Sequence, residues 1–277
     1  MIYYAKRVDG IIAQSIAVAL HGSAWLATRG ALPALEVNNS TFHYVSLTRF
    51  ENLAGDRVDG ADAWLEQLAA AGVTEVDIYL PDEDGGAEAD LAGRRQRAAF
   101  VDDDVGLCIP TGSGGRLWRA EWRTRHHDPL AAPRPDARPW SVTYRESAAP
   151  TRLRRPALDA TRHALIQAIE IAIGFAREHE MNPLDATLAR ARELETAERP
   201  QPPFYADMAP AGVLSLERQR LLAIATGAHV FGGMGTWNDF SFSDHETQRI
   251  YNEVSDGLFT AVMRGFSASV NTRTSET

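Results

Sequence analysis

Apolar residues recur at helical spacing near the C-terminus, where Ile250, Val254, Leu258, Val262 and Phe266 fall on one face of a long final helix. That stripe must meet a core. Gly257, Ala261 and Gly265 lie beside it as a flat strip of small side chains. A glycine inside a helix costs roughly 1 kcal/mol relative to alanine, so two of them predict a second helix packed close against the strip. Ser243 to Glu246 reads as a capping box that starts this helix. Upstream, Phe231-Gly232-Gly233-Met234-Gly235 allows positive φ and a tight reversal, which ends the preceding helix, itself capped by Ser215.

The N-terminal pattern predicts a helix from about Gly10 to Thr28, with Asp9 as its cap and Ile12, Ile16, Leu20 and Ala24 on one face. Leu35 to Leu47 reads as an internal strand and Ala61 to Ala71 as a short helix closed by Gly72. Val76, Ile78 and Leu80 alternate as a strand, and strand, helix, strand in that order permits one right-handed crossover. Asp82 to Asp90 is an acidic surface loop, followed by the basic run Arg94, Arg95 and Arg97. A hairpin follows: Val105, Leu107 and Ile109 alternate, Thr111 to Gly115 turns, and Trp118, Ala120 and Trp122 oppose Arg119, Glu121 and Arg123. Trp140, Val142 and Tyr144 supply a further strand.

After Pro150 strand alternation stops. A helix from Pro156 to about Glu180 is apolar nearly all round, which predicts burial on most sides and a central position. Another runs from Pro183 to about Glu198, before the stiff linker Pro200, Pro202 and Pro203. The fold expected is α+β: residues 1–149 as a mainly antiparallel sheet of about five strands with two helices, and residues 150–277 as a helical half of four or five helices packed on it, with one shared core allowed.

The 44% apolar content is ordinary for a globular chain of 277 residues, and a net charge of -9 argues against nonspecific nucleic-acid binding. Lys6 is the only lysine among many arginines, and with abundant alanine this indicates a high-GC bacterial source. The single cysteine, Cys108, excludes an intrachain disulfide and fits a reducing cytoplasm. Asp9, Gln14, Ser15 and His21 interrupt the only stretch resembling a signal peptide. No apolar run was expected to reach the ~20 residues that span a bilayer, so no membrane partner is predicted.

Two clusters could carry acid–base chemistry. Glu170 sits among apolar neighbours in an apolar helix, with His163 seven residues earlier on the same face and Gln167 between. Buried, it would have a raised pKa or a charged partner; the plainer reading is a polar seam or a solvent-facing strip. Trp237, Asn238, Asp239 and His245 offer an aromatic wall, an amide, a carboxylate and an imidazole for a small polar ligand. The plainer reading is that Asn238 and Asp239 tie down a turn on which Trp237 packs. The sharper expectation is that Asp239 and His245 face the same cavity as Glu170.

Other motifs are weaker. His126-His127-Asp128 lies where adjacent side chains diverge, so no metal is predicted. Thr111-Gly112-Ser113-Gly114-Gly115 lacks the lysine of a phosphate loop, Cys108 lacks a sequence partner for thiol catalysis, and no cofactor is expected. Two function classes remain: a bacterial cytoplasmic binding or accessory protein, of which toxin neutralisation is one form, acting on a protein partner or small polar ligand; or a small-molecule hydrolase using His163, Glu170, Asp239 and His245. The first leads because no catalytic motif is complete.

Overall fold

The computed structural model describes residues 2–80 except 31 and 33, 105–148 except 112–113 and 125–137, 153–203 except 154, and 205–271 except 233–235. Its elements are helices α1 (Ile2–Thr28), α2 (Leu35–Asn38), α3 (Ala61–Ala70), α4 (Leu158–Glu178), α5 (Leu184–Glu193), α6 (Leu216–Ala228) and α7 (His245–Val270), and strands β1 (Val45–Glu51), β2 (Arg57–Asp59), β3 (Asp77–Tyr79), β4 (Gly106–Thr111), β5 (Gly114–Thr124) and β6 (Trp140–Ala148). The fold is α+β, a mostly antiparallel six-stranded sheet with helices, as the alternation pattern predicts. The acidic loop and the basic run after Asp82 lie outside the described residues.

Strand order is β2-β1-β6-β5-β4-β3. Neighbours run antiparallel except β1 and β6. The expected crossover between β1 and β3 is therefore corrected, because three strands lie between them. The first strand also begins later than predicted: Leu35–Asn38 and Ser40–Phe42 are short helical turns. Reciprocal capping explains this, since Glu36 accepts the Ala61 N–H (2.8 Å) at the start of α3 while Asp62 accepts the Leu35 N–H (3.0 Å) at the start of α2.

One sheet face carries an aromatic layer. Phe50 stacks between Trp64 of α3 (centroids 4.1 Å apart) and Tyr144 (4.9 Å), with Trp118 edge-on. Helix α1 lies over this layer, and Gly10 to Leu20 is buried without interruption. Inside it, Tyr144 donates its hydroxyl to Gln14 (3.1 Å), and burial pushes the phenol pKa up, keeping it a neutral donor. Helix α1 starts at Ile2, so Asp9 lies within it and does not cap it. Gly10–Thr28 is also long and apolar enough to cross a bilayer, which corrects the expectation: Gln14, Ser15 and His21 are uncharged and do not break the run, most of which is buried in the fold.

Helices α4 to α7 pack as a bundle, α7 between α4 and α6 and α5 closing the far side. Apolar side chains from both sides of Pro150 belong to one continuous core. Polar links cross the same seam. Asn271, just past α7, accepts the Ile78 N–H and donates to the Ile78 carbonyl (2.9 Å each), completing the open edge of β3. Buried Arg218 donates to the carbonyls of Ser269 and Val270 (2.9 Å each), satisfying the end of α7. On the opposite side of α1, the His21 ring lies 2.9 Å from the Asp207 carbonyl and 3.2 Å from the Asn39 amide, while Asp207 accepts from the backbone and hydroxyl of Ser40.

Two outcomes follow. Asn271→Ala strips both partners from a buried strand edge and should lower stability by about 1–3 kcal/mol, read as a reduced thermal midpoint; an unchanged midpoint would show that the edge needs no partner. Burial holds the His21 pKa below its usual 6.5. The unfolded chain therefore takes up that proton first as pH falls below the usual value, so the stabilising contribution is present above that pH and is lost on acidification. His21→Gln should lose less stability on acidification than the unsubstituted chain, and equal losses would reject this role.

Candidate interaction surface

Helix α4 buries one side, through Leu165, Ile169, Ala172 and Ala176, and is not enclosed as predicted. Nearly continuous burial is found instead in α1, in the Leu221–Ala225 turn of α6 and in α7 from Ala261 to Val270, where only Arg264 is exposed. Glu170 is exposed and paired with Arg192 of α5 at 2.8 Å, and His163 is exposed and bonded to Gln167 at 3.1 Å. Their apolar sequence neighbours point elsewhere, because adjacent helical residues are about 100° apart. Apolar neighbours in sequence therefore do not make a carboxylate buried.

The Trp237 cluster resolves into turn chemistry. Trp237 is fully buried, donates Nε1–H to Ser255 (2.8 Å) and stacks on Tyr251 at 5.9 Å. Tyr251 donates its hydroxyl to the Trp237 carbonyl. Asn238 accepts the Gly232 N–H at 3.2 Å, tying the reversal, whose residues 233–235 lie outside the described set. Asp239 and His245 are both exposed. With Glu170 in a surface ion pair, these groups share no desolvated cavity, which corrects the expectation of one site.

Helix α7 starts one residue later than the capping-box reading. Its cap is Asp244, which accepts the Thr247 N–H at 2.7 Å, while Glu246 pairs with Arg249. Those backbone and side-chain bonds from Thr247 hold the Asp244 carboxyl below its usual pKa. The early stripe is also rotated: Tyr251 and Ser255 face inward, Val254 is half-buried, and Ile250 is 38% exposed. From Leu258 the predicted stripe is buried. Gly265 does mark a close approach, since a methyl there would meet Leu165 and Ala225 at 3.2 and 3.1 Å, whereas Gly257 faces open space.

That open space is a groove of about 890 Å³ between α4 and α7. Ala157, Ala160, Ala164 and Ala168 form one wall, with Gly257 and Ala261 on the other. Ile171, one turn beyond Ala168, is 60% exposed. Asp256, Thr260, Arg264 and Ser267 supply polar groups from α7, and Arg155 and Thr161 from the other side. The alanine spacing was legible in the sequence, but reading the helix as apolar all round hid the distinction between the side that packs, through Leu165, Ile169, Ala172 and Ala176, and the side of Ala160, Ala164 and Ala168 that lines the groove.

Elsewhere, Cys108 is buried in β4 opposite Asp77 and Leu117, and a methyl at Gly115 would lie 2.4 Å from its sulfur. Glycine at 115 therefore serves packing. Among the described residues no group of three His, Cys, Asp or Glu side chains could hold a metal ion, and His126-His127-Asp128 falls outside them. No protein-family model matches this chain, and comparisons with curated proteins and with solved structures returned no match.

The rotation of α7 is tested by two aspartates. Leu258→Asp, at a position 1% exposed, should cost several kcal/mol as an unpaired buried charge, whereas Ile250→Asp should cost less than about 1 kcal/mol. Similar losses in thermal midpoint would mean that both residues face the core.

Proposed function

We propose that this protein is a binding or accessory protein of the bacterial cytoplasm that docks a protein partner along the groove between α4 and α7. The observation that carries this reading is an open channel of about 890 Å³ walled by small residues, Ala160, Ala164 and Ala168 of α4 and Gly257 and Ala261 of α7. Small-molecule sites are usually concave and enclosed around a few convergent polar groups. This groove instead follows the helices, and Ala157 to Ala168 alone extend over roughly 16 Å at 1.5 Å per residue. Alanine and glycine walls leave room for the larger side chains of an apolar helix, which is how amphipathic helices dock into grooves. Toxin neutralisation is one form that such docking takes. The hydrolase alternative loses support because His163, Glu170, Asp239 and His245 are exposed, so no low-dielectric setting is built around them.

The test is a photo-crosslinking residue placed at Ala164 in cells, with the same residue at exposed Ser46 of β1 as control. A discrete protein adduct should form from position 164 and not from 46, and Gly257→Arg, which fills the channel, should abolish it. Absence of any adduct at 164 would falsify the groove reading.

A further inference from the structure

A cavity of about 350 Å³ lies where α1, the approach to β3, the start of α6 and the end of α7 meet, and it shares no lining residue with the groove. That size falls within the roughly 300–1,000 Å³ of small-molecule pockets. Leu20 and Ala24 of α1, Val76 and Val213 give it apolar walls. Ser23 accepts the Val76 N–H (2.9 Å) and donates to the Val76 carbonyl (3.0 Å), which fixes one of those walls. Buried Arg218 and Asp77 and half-buried Glu75 bring charge of both signs to the same space. Arg218 spends one edge of its guanidinium on the end of α7, with Nε and Nη2 donating to the carbonyls of Ser269 and Val270. Those bonds fix its plane. The terminal edge, Nη1 with the second Nη2 proton, has neither a hydrogen-bond acceptor nor an ion-paired carboxylate among the described residues. Burial holds its pKa below the usual arginine value, against the opposing charge of Asp77. A buried, immobilised guanidinium with that edge open matches the two oxygens of a carboxylate. Glu75 and Asp77 are both held by Arg155 (3.1 and 2.5 Å), and because an ionised carboxylate offers about four acceptor sites, that engagement leaves capacity for a further N–H donor.

We propose that this cavity binds a small aliphatic α-amino acid, its carboxylate on the open edge of Arg218, its ammonium towards Glu75 and its side chain against Leu20, Ala24 and Val213. Charge selects the zwitterion. A simple carboxylate would face Glu75 and Asp77 with like charge, and a simple amine would face Arg218 with like charge, whereas an amino acid meets each wall with the opposite sign. The guanidinium is already oriented by the α7 carbonyls, so little side-chain freedom is lost when the ligand enters.

Calorimetric titration of the full chain with L-valine and L-leucine tests this, beside 3-methylbutanoate, which is valine without its ammonium, and 2-methylpropylamine, which is valine without its carboxylate. At least one of the two amino acids should bind saturably, and both single-charge analogues should bind about ten-fold or more weakly than it does. Glu75→Gln should weaken the amino acid about ten-fold and spare 3-methylbutanoate, a split that loss of folding would not produce. Ala24→Leu fills the cavity from α1 without touching a charge and should abolish binding, with circular dichroism confirming the fold. Absence of saturable binding by both amino acids overturns the proposal. So does 3-methylbutanoate binding as tightly as valine, or binding that is indifferent to Ala24→Leu.

Discussion

Helix α1 has no solvent side from Gly10 to Leu20, and the rest of the chain is arranged to cover it. A helix with that composition is stable in water only when enclosed. The sheet supplies one cover through its aromatic layer, and the bundle supplies another through α6 and α7. Two of its polar residues find partners in different places. Gln14 is used inside the sheet by Tyr144, and His21 is used at the surface by Asp207 and Asn39. Because both covers share one helix, apolar side chains from the two halves of the sequence join in a single core.

That shared helix leaves chain ends and edges to satisfy, and they satisfy each other. The last turn of α7 has unpaired carbonyls, and β3 has an unpaired edge. Arg218 takes the carbonyls and Asn271 takes the edge. Placing buried charge near this seam is costly unless it is compensated. Asp77 is compensated by Arg155, which also reaches Glu75, so the seam brings its own counter-charges. These polar contacts fix the register between layers, which apolar packing alone specifies weakly.

The bundle then has a packed side and an open side. Leu165, Ile169, Ala172 and Ala176 of α4 and Leu258, Val262, Gly265 and Phe266 of α7 turn inward, while Ala160, Ala164, Ala168, Gly257 and Ala261 line the channel. A channel of this kind follows from the same helical periodicity that builds the core, since side chains too small to fill a neighbour's groove leave one. The groups that suggested acid–base chemistry are accounted for by ordinary duties: Glu170 ties α4 to α5, His163 bonds along its own helix, and Asn238 closes a turn.

Local chemistry in the sequence determined much of the secondary structure. The hairpin of β4 and β5, the strand through Tyr144, the short helix Ala61–Ala70 and the Ser215 cap all follow from period, turn residues and hydrogen-bonding side chains close in sequence. What depends on contacts far apart in sequence was decided only by the tertiary structure. Glu36 and Asp62 made helical turns where alternation suggested a strand, and the partner of β1 came from β6, nearly a hundred residues away. The burial of each helix face was settled the same way. A 3.6-residue period shows that a helix has an apolar side, but Ile171 and Ile250 match that period as well as their buried neighbours do. Which apolar residues meet a core, and which are left exposed, is set by the neighbouring helices.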